Sequence, residues 1–250
     1  MKAASLLLPL CASLASFSVV QAQRPSCEET ATVRPGPTAP LQSVRPADGT
    51  TRYGMTVRGP NDSAAKWFGS MTVSQLTTRC GADGVVRRVI VYDYGVKGQV
   101  VDTTLSVAST LAPIMERTRK PSGDIVLDFS PGVVRGSMTK AGVTRAINDS
   151  LKSAAFNSTD LELVVRSLAF RVGLTTTLKI YDPEFGGYRS DTISVTRLEP
   201  GATPGAEGTW VVRSRDSRLE STYRIAERSR RLVANDVHAD STWYHITLAP

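Results

Sequence analysis

The chain has 250 residues, 30 Lys and Arg against 23 Asp and Glu, a formal net charge of +7 and 6% aromatic residues. The basic residues are scattered through strand-like runs, apart from 117–120 and 228–231. They lack the aromatic interleaving of a nucleic-acid surface, so no nucleic-acid partner is expected.

Met1-Lys2, an apolar stretch over 3–10 and small residues ending at Val20-Gln21-Ala22 describe a signal peptide over 1–22, cleaved after Ala22. The apolar core is shorter than the ~20 residues that span a bilayer as a helix. No later run is longer and apolar, so a soluble periplasmic or secreted protein without a transmembrane segment is expected. A lipid anchor at Cys11 is the rival reading, and Leu10 stands where a small residue is needed. Cys27 and Cys80 remain after cleavage, and an oxidising compartment points to one disulfide between them, with two free thiols as the alternative.

Residues 23–47 carry Pro25, Pro35, Pro37, Pro40 and Pro46 among polar fillers and read as a flexible arm. Residues 48–250 read as a single β-rich domain. A short strand over 52–58 comes first. In 67–78, Trp67, Gly69, Met71 and Val73 share one face, and Gly69 marks a bulge or a close approach. The run 85–94 is apolar on both faces at Val89-Ile90-Val91-Tyr92, as in a central strand. Val101, Thr103, Leu105 and Val107 are assigned inward, against Asp102, Thr104 and Ser106. Residues 111–118, with Pro113 near the start, read as an edge strand. Ile125, Leu127 and Phe129 alternate with polar residues, and strands over 133–139 and 143–147 follow.

One helical stripe stands out, with Leu161, Val164, Val165 and Leu168 at i, i+3, i+4 and i+7. Thr159 and Glu162 have the spacing of a capping box, so a helix is predicted from Thr159 to about Ala169. Strands resume at 176–181, 188–198, 208–216, 219–226, 230–237 and 243–248, separated by Pro/Gly and Asp-Ser turns. The pattern predicts a mainly β fold: a curved antiparallel meander of about eleven strands, half-barrel or barrel-like, with one short covering helix.

Residues 188–198, Gly208-Thr209-Trp210-Val211-Val212, Tyr223-Arg224-Ile225 and Arg230-Arg231-Leu232-Val233 resemble the closing part of an exported bacterial family, domain of unknown function 3108. Thr110-Leu111-Ala112-Pro113, the strand pair around 128–137 and Phe156-Asn157 extend the resemblance over about 67–237. It implies a curved antiparallel sheet, broadly similar to periplasmic lipoprotein-carrier half-barrels, and supplies no catalytic residues.

Motifs for chemistry are sparse. Ser137-Met138-Thr139-Lys140 matches S-x-x-K, but on a strand the two side chains point to opposite faces and cannot exchange a proton. His238 and His245 stand seven apart without the clustered ligands of a metal centre. Asp124 and Asp128 share one face of a strand and are read as solvated. Neither an enzyme nor a cofactor or metal is expected. The expected function is binding of a lipid or other amphiphile in the concave face, through Trp67, Met71, Ile90, Leu105, Leu127, Phe129, Val164 and Leu168. The alternative is an envelope protein–protein interaction module with a fully packed core.

Overall fold

The computed structural model describes residues 36–42, 46–79 and 83–250. The leader, most of the arm and both Cys27 and Cys80 lie outside the described residues. The strands are β1 (Gly49–Arg58), β2 (Lys66–Thr78), β3 (Val85–Asp93), β4 (Gln99–Val107), β5 (Pro113–Lys120), β6 (Gly123–Ser130), β7 (Val133–Lys140) and β8 (Val143–Ser150). Then come β9 (Phe156–Asn157), a 3-10 turn (Ser158–Asp160), α1 (Leu161–Arg166), β10 (Thr175–Asp182), β11 (Gly187–Glu199), β12 (Thr209–Arg215), β13 (Leu219–Ala226), β14 (Leu232–Ala239) and β15 (Thr242–Leu248). Among the described residues, all fifteen strands belong to one sheet, ordered β8-β7-β6-β5-β4-β3-β2-β1-β15-β14-β13-β12-β11-β10-β9. Each tight turn returns the chain beside the strand it has just left. The ladder is antiparallel except at β9–β10, which is parallel. The predicted mainly β meander is present, with more strands than the eleven expected.

Register shifts at Met55/Thr56, Leu105/Ser106, Val195/Arg197 and Arg224/Ile225 bend the sheet, because each puts two residues of one strand against one of its neighbour. At the first, Met55 pairs with Gly69 and Thr56 with Trp67. A Cβ on Gly69 would meet Asp93 O at 2.3 Å, and its φ is +155°. Glycine is therefore required at the bulge.

The sheet curls until its ends meet without closing a hydrogen-bonded ladder. Tyr181 lies on the side of β10 opposite Leu178 and Ile180, yet it is buried in a cluster with Leu127, Phe129 and Ile147. Its ring meets Phe129 edge-on at 5.9 Å, and its hydroxyl donates to Asp149 Oδ2 at 2.6 Å. The β6–β8 end thus overlaps the β9–β10 end. Strand β5 lies inside the sheet between β4 and β6, so its assignment as an edge is corrected: Pro113 sits at the first position, where no ladder donor is lost. The long edge is β8.

Inside the curl sits α1. Leu163, Val164, Val165 and Leu168 are fully buried against Phe156, Leu178, Ile180, Ile193 and Ile225, each contributing about 1.5–3 kcal/mol. The helix is shorter than the predicted span and lacks the capping box. Asn157 accepts from Thr159 N at 3.1 Å at the start of the 3-10 turn, while the Thr159 hydroxyl and Glu162 are engaged elsewhere in the interior. The described part of the arm is not loose. Leu41 bridges Leu168, Gln42 N donates to Ser167 O at 2.8 Å and Ala169 N to Pro40 O at 2.7 Å. Arg230, within the basic run 228–231, is 6% exposed. It donates to Gln42 Oε1 at 2.9 Å and lies over the Phe170 ring.

Candidate functional site

The residues expected to line an open concavity are mostly core. Met71, Ile90, Val164 and Leu168 are buried in the main cluster, and Leu127 and Phe129 in a second one beneath the overlap. Trp67 is 70% exposed. The bulge at Gly69 reverses the alternation there, so Phe68 packs at the core margin and Trp67 lies over Gly54. Leu105 is buried on the other side of the sheet, with Val85, Val107, Ala112 and Ile114. Its assignment as inward is corrected: β4 turns Asp102, Thr104 and Ser106 into the interior, where all three are buried.

Register explains the reversal. Arg88 pairs with Thr104, Thr104 with Glu116 and Glu116 with Leu127, so these side chains share the inner face. Against them α1 and the turn before it present Thr159, Asp160, Glu162 and Arg166. Thr104 and Ser106 donate to the two carboxylate oxygens of Asp160 at 2.7 and 2.8 Å. Arg88 donates to Thr159 O at 3.0 Å and pairs with Glu162, which also accepts from Arg166 at 2.7 Å. Arg166 reaches on to Arg230 O at 2.6 Å. The apolar core is thereby joined to a buried charge cluster that anchors the plug to the sheet.

The cluster holds four carboxylates, Asp102, Glu116, Asp160 and Glu162, against two guanidiniums, Arg88 and Arg166. Glu116 is 3% exposed, and burial pushes its carboxyl up to about 7, with Asp102 and Asp160 adding to the rise and hydrogen bonds from Thr159 and Thr118 opposing it. Burial also raises Asp102. The Thr118 hydroxyl lies 2.6 Å from Asp102 Oδ1 and 3.1 Å from Glu116 Oε1, and its single hydrogen serves one of them at a time. Glu116 Oε2 and Arg88 Nε are buried without a hydrogen-bond partner. A proton on Glu116 relieves the surplus of negative charge.

Sequence reasoning missed this cluster, since alternation on β4 does not say which face turns inward. The Glu162–Arg166 spacing on the helix was the one local signal available.

On the outer face, the sides of β2–β4 away from the core enclose a groove of about 600 Å³. Leu76, Val89, Val91, Val101 and Thr103 line it, with Arg87 at its margin and Asp48, whose carboxylate accepts from Thr77 N and Oγ1. Register places Arg119 beside Val101. Arg87 and Arg119 have no hydrogen bond or ion pair among the described residues.

The motifs weighed for chemistry are scattered. Ser137 and Lys140 stand on β7, three apart on a strand. His238 stacks on Trp243 at 4.3 Å, and His245 meets Asp236. Asp124 and Asp128 are exposed on β6, and Asp128 pairs with Arg117 at 2.8 Å. Among the described residues no helix is long and apolar enough to cross a membrane.

The fold defines a class: a barrel-like single sheet, open along one seam and plugged by a helix. Residues 55–239 match the family described as "Protein of unknown function (DUF3108)", and the chain belongs to that family. Among solved structures it is similar to the β-barrel-like protein of domain of unknown function DUF1849 from Brucella abortus. The two share 13% identity with a TM-score of 0.54, over 83% of this chain and 98% of that one. At that identity the similarity is one of fold. No curated protein matches.

Proposed function

We propose that this chain is an exported, non-catalytic binding protein of the cell envelope that holds an anionic amphiphile in the outer groove over β2–β4. One observation carries the reading. Strand β3 is apolar on both sides, as strands covered on both faces are; its Val86 and Ile90 side packs into the main core, while on the outer side only Val85, at one end, is covered, by Leu105 and its neighbours. Val89 and Val91 line the groove instead. Its volume falls within the range of small-molecule sites. An acyl chain burying about eight methylenes would gain about 6 kcal/mol gross, less the ordering cost of binding. Arg87 and Arg119 supply charge for an anionic head group. The amphiphile is thus assigned to the outside of the sheet, because α1 and the charge cluster fill the interior.

The test is titration of the purified protein with a fluorescent fatty acid. Saturable uptake, weakened at least tenfold by Val89→Asp with unchanged circular dichroism, is the expected result. No uptake, or equal uptake by the variant, would overturn the reading. The interaction-module reading would then lead, favoured by the eight-residue exposed edge β8.

A further inference from the structure

A second arrangement lies on the outer face of β10–β13, away from the groove. Along β11 the outward row is Tyr188, Ser190, Thr192 and Ser194, continued by Thr196, while Asp191, Ile193 and Val195 are buried. From Tyr188 to Thr196 the row extends about 26 Å at about 3.3 Å per residue. Tyr188 is 36% exposed at one end. On β12, Arg213 stands beside Ser194 and Arg215 beside Thr192. Neither guanidinium has a hydrogen bond or ion pair among the described residues. On β10, Lys179 donates to Ser190 at 2.7 Å and lies over the Tyr188 ring. Ser190, Thr192, Ser194, Arg213, Arg215 and Ser217 border a shallow trough of about 600 Å³.

Charge and shape narrow the occupant. A solvated sheet face ordinarily interleaves both signs. Here the cations Lys179, Arg213 and Arg215 meet two acids: Glu220 on β13, which stands opposite Arg215 in register but makes no ion pair with it, and Asp216, whose carboxylate is already taken by Arg189. Two guanidiniums two residues apart on one strand face are about 7 Å apart, and each matches a carboxylate or phosphate bidentately. A row of short hydroxyls offers donors and acceptors in series but no pocket for an apolar side chain. With a single aromatic platform, the row suits a sugar face better than a stack of bases, which needs several.

We propose that this face binds a linear anionic polysaccharide. Its sugar hydroxyls would bond to the Ser/Thr row, one ring would rest on Tyr188, and its anionic substituents would lie against Arg213 and Arg215. This inference does not rest on the amphiphile groove.

Affinity electrophoresis of the purified protein tests it, in gels containing polygalacturonate, neutral dextran or single-stranded oligothymidine. The expected result is retardation by polygalacturonate, at least tenfold weaker in Arg213→Glu/Arg215→Glu and also weakened in Tyr188→Ala. The charge-matched Arg135→Glu/Arg145→Glu should bind as the wild type does. No retardation by polygalacturonate, equal losses in the two double variants, or tighter binding to oligothymidine would each overturn the proposal. Fatty-acid uptake is measured on the same Arg213→Glu/Arg215→Glu protein and should be unchanged. Failure of either site can therefore be told from failure of the other.

Discussion

Replacing Glu116 by Gln should flatten the dependence of stability on pH. Burial lifts the folded-state Glu116 carboxyl from the ordinary 4.5 to about 7. At about 1.4 kcal/mol per pH unit, that makes its ionised form unfavourable in the folded protein by about 3 kcal/mol. Because the folded value lies above the unfolded one, the contribution is fully present below about pH 4.5 and is lost as pH rises through about 7. Asp102, also raised by burial, acts in the same direction. Asp62, Glu207 and Asp236 are held below the ordinary carboxylate range and titrate beneath this window. Gln keeps the shape and the contacts to Thr118 and Thr159 but carries no charge. Urea midpoints followed by tryptophan fluorescence at pH 5 and pH 8 provide the assay. The wild type should be the less stable at pH 8. Glu116→Gln should lie within about 1 kcal/mol of the wild type at pH 5 and exceed it by up to about 3 kcal/mol at pH 8. A wild type that gains stability from pH 5 to pH 8, or a variant equally steep in pH, would refute the idea of a buried proton on Glu116.

Arg88→Met leaves Asp160 without its counter-charge and Glu162 with Arg166 alone, and should cost about 3–5 kcal/mol in urea unfolding; adding Glu162→Gln should recover part of the loss, and no recovery would count against the pair. Gly69→Ala forces a Cβ onto Asp93 O and should cost at least about 1–3 kcal/mol of backbone strain, read as a lower Tm. Leu168→Ala should cost about 2–5 kcal/mol and Trp67→Ala under about 1 kcal/mol, which separates core from surface by thermal unfolding. Comparable losses at the two positions would restore Trp67 to the inner face.

Strand positions and turns were legible in the chain because both are local. Alternation over six to ten residues, broken by Asp-Ser or Pro-Gly, depends on neighbours in sequence, and Ile125, Leu127 and Phe129 point inward as read. The apolar stripe of α1 was legible for the same reason, and the structure places Val164, Val165 and Leu168 in the core. The sidedness of β4 was not local. Val101, Thr103, Leu105 and Val107 make the more apolar face, yet pairing with β3 and β5 commits Asp102, Thr104 and Ser106 to the interior beside Asp160. Trp67 reads as inward until a single extra residue at the bulge reverses it. Sequence alone determined a plugged, curved sheet with β3 apolar on both sides. Only the tertiary structure decided which face is inside, because a strand's two faces are exchanged by a one-residue change of register, and that register is set by the neighbouring strands.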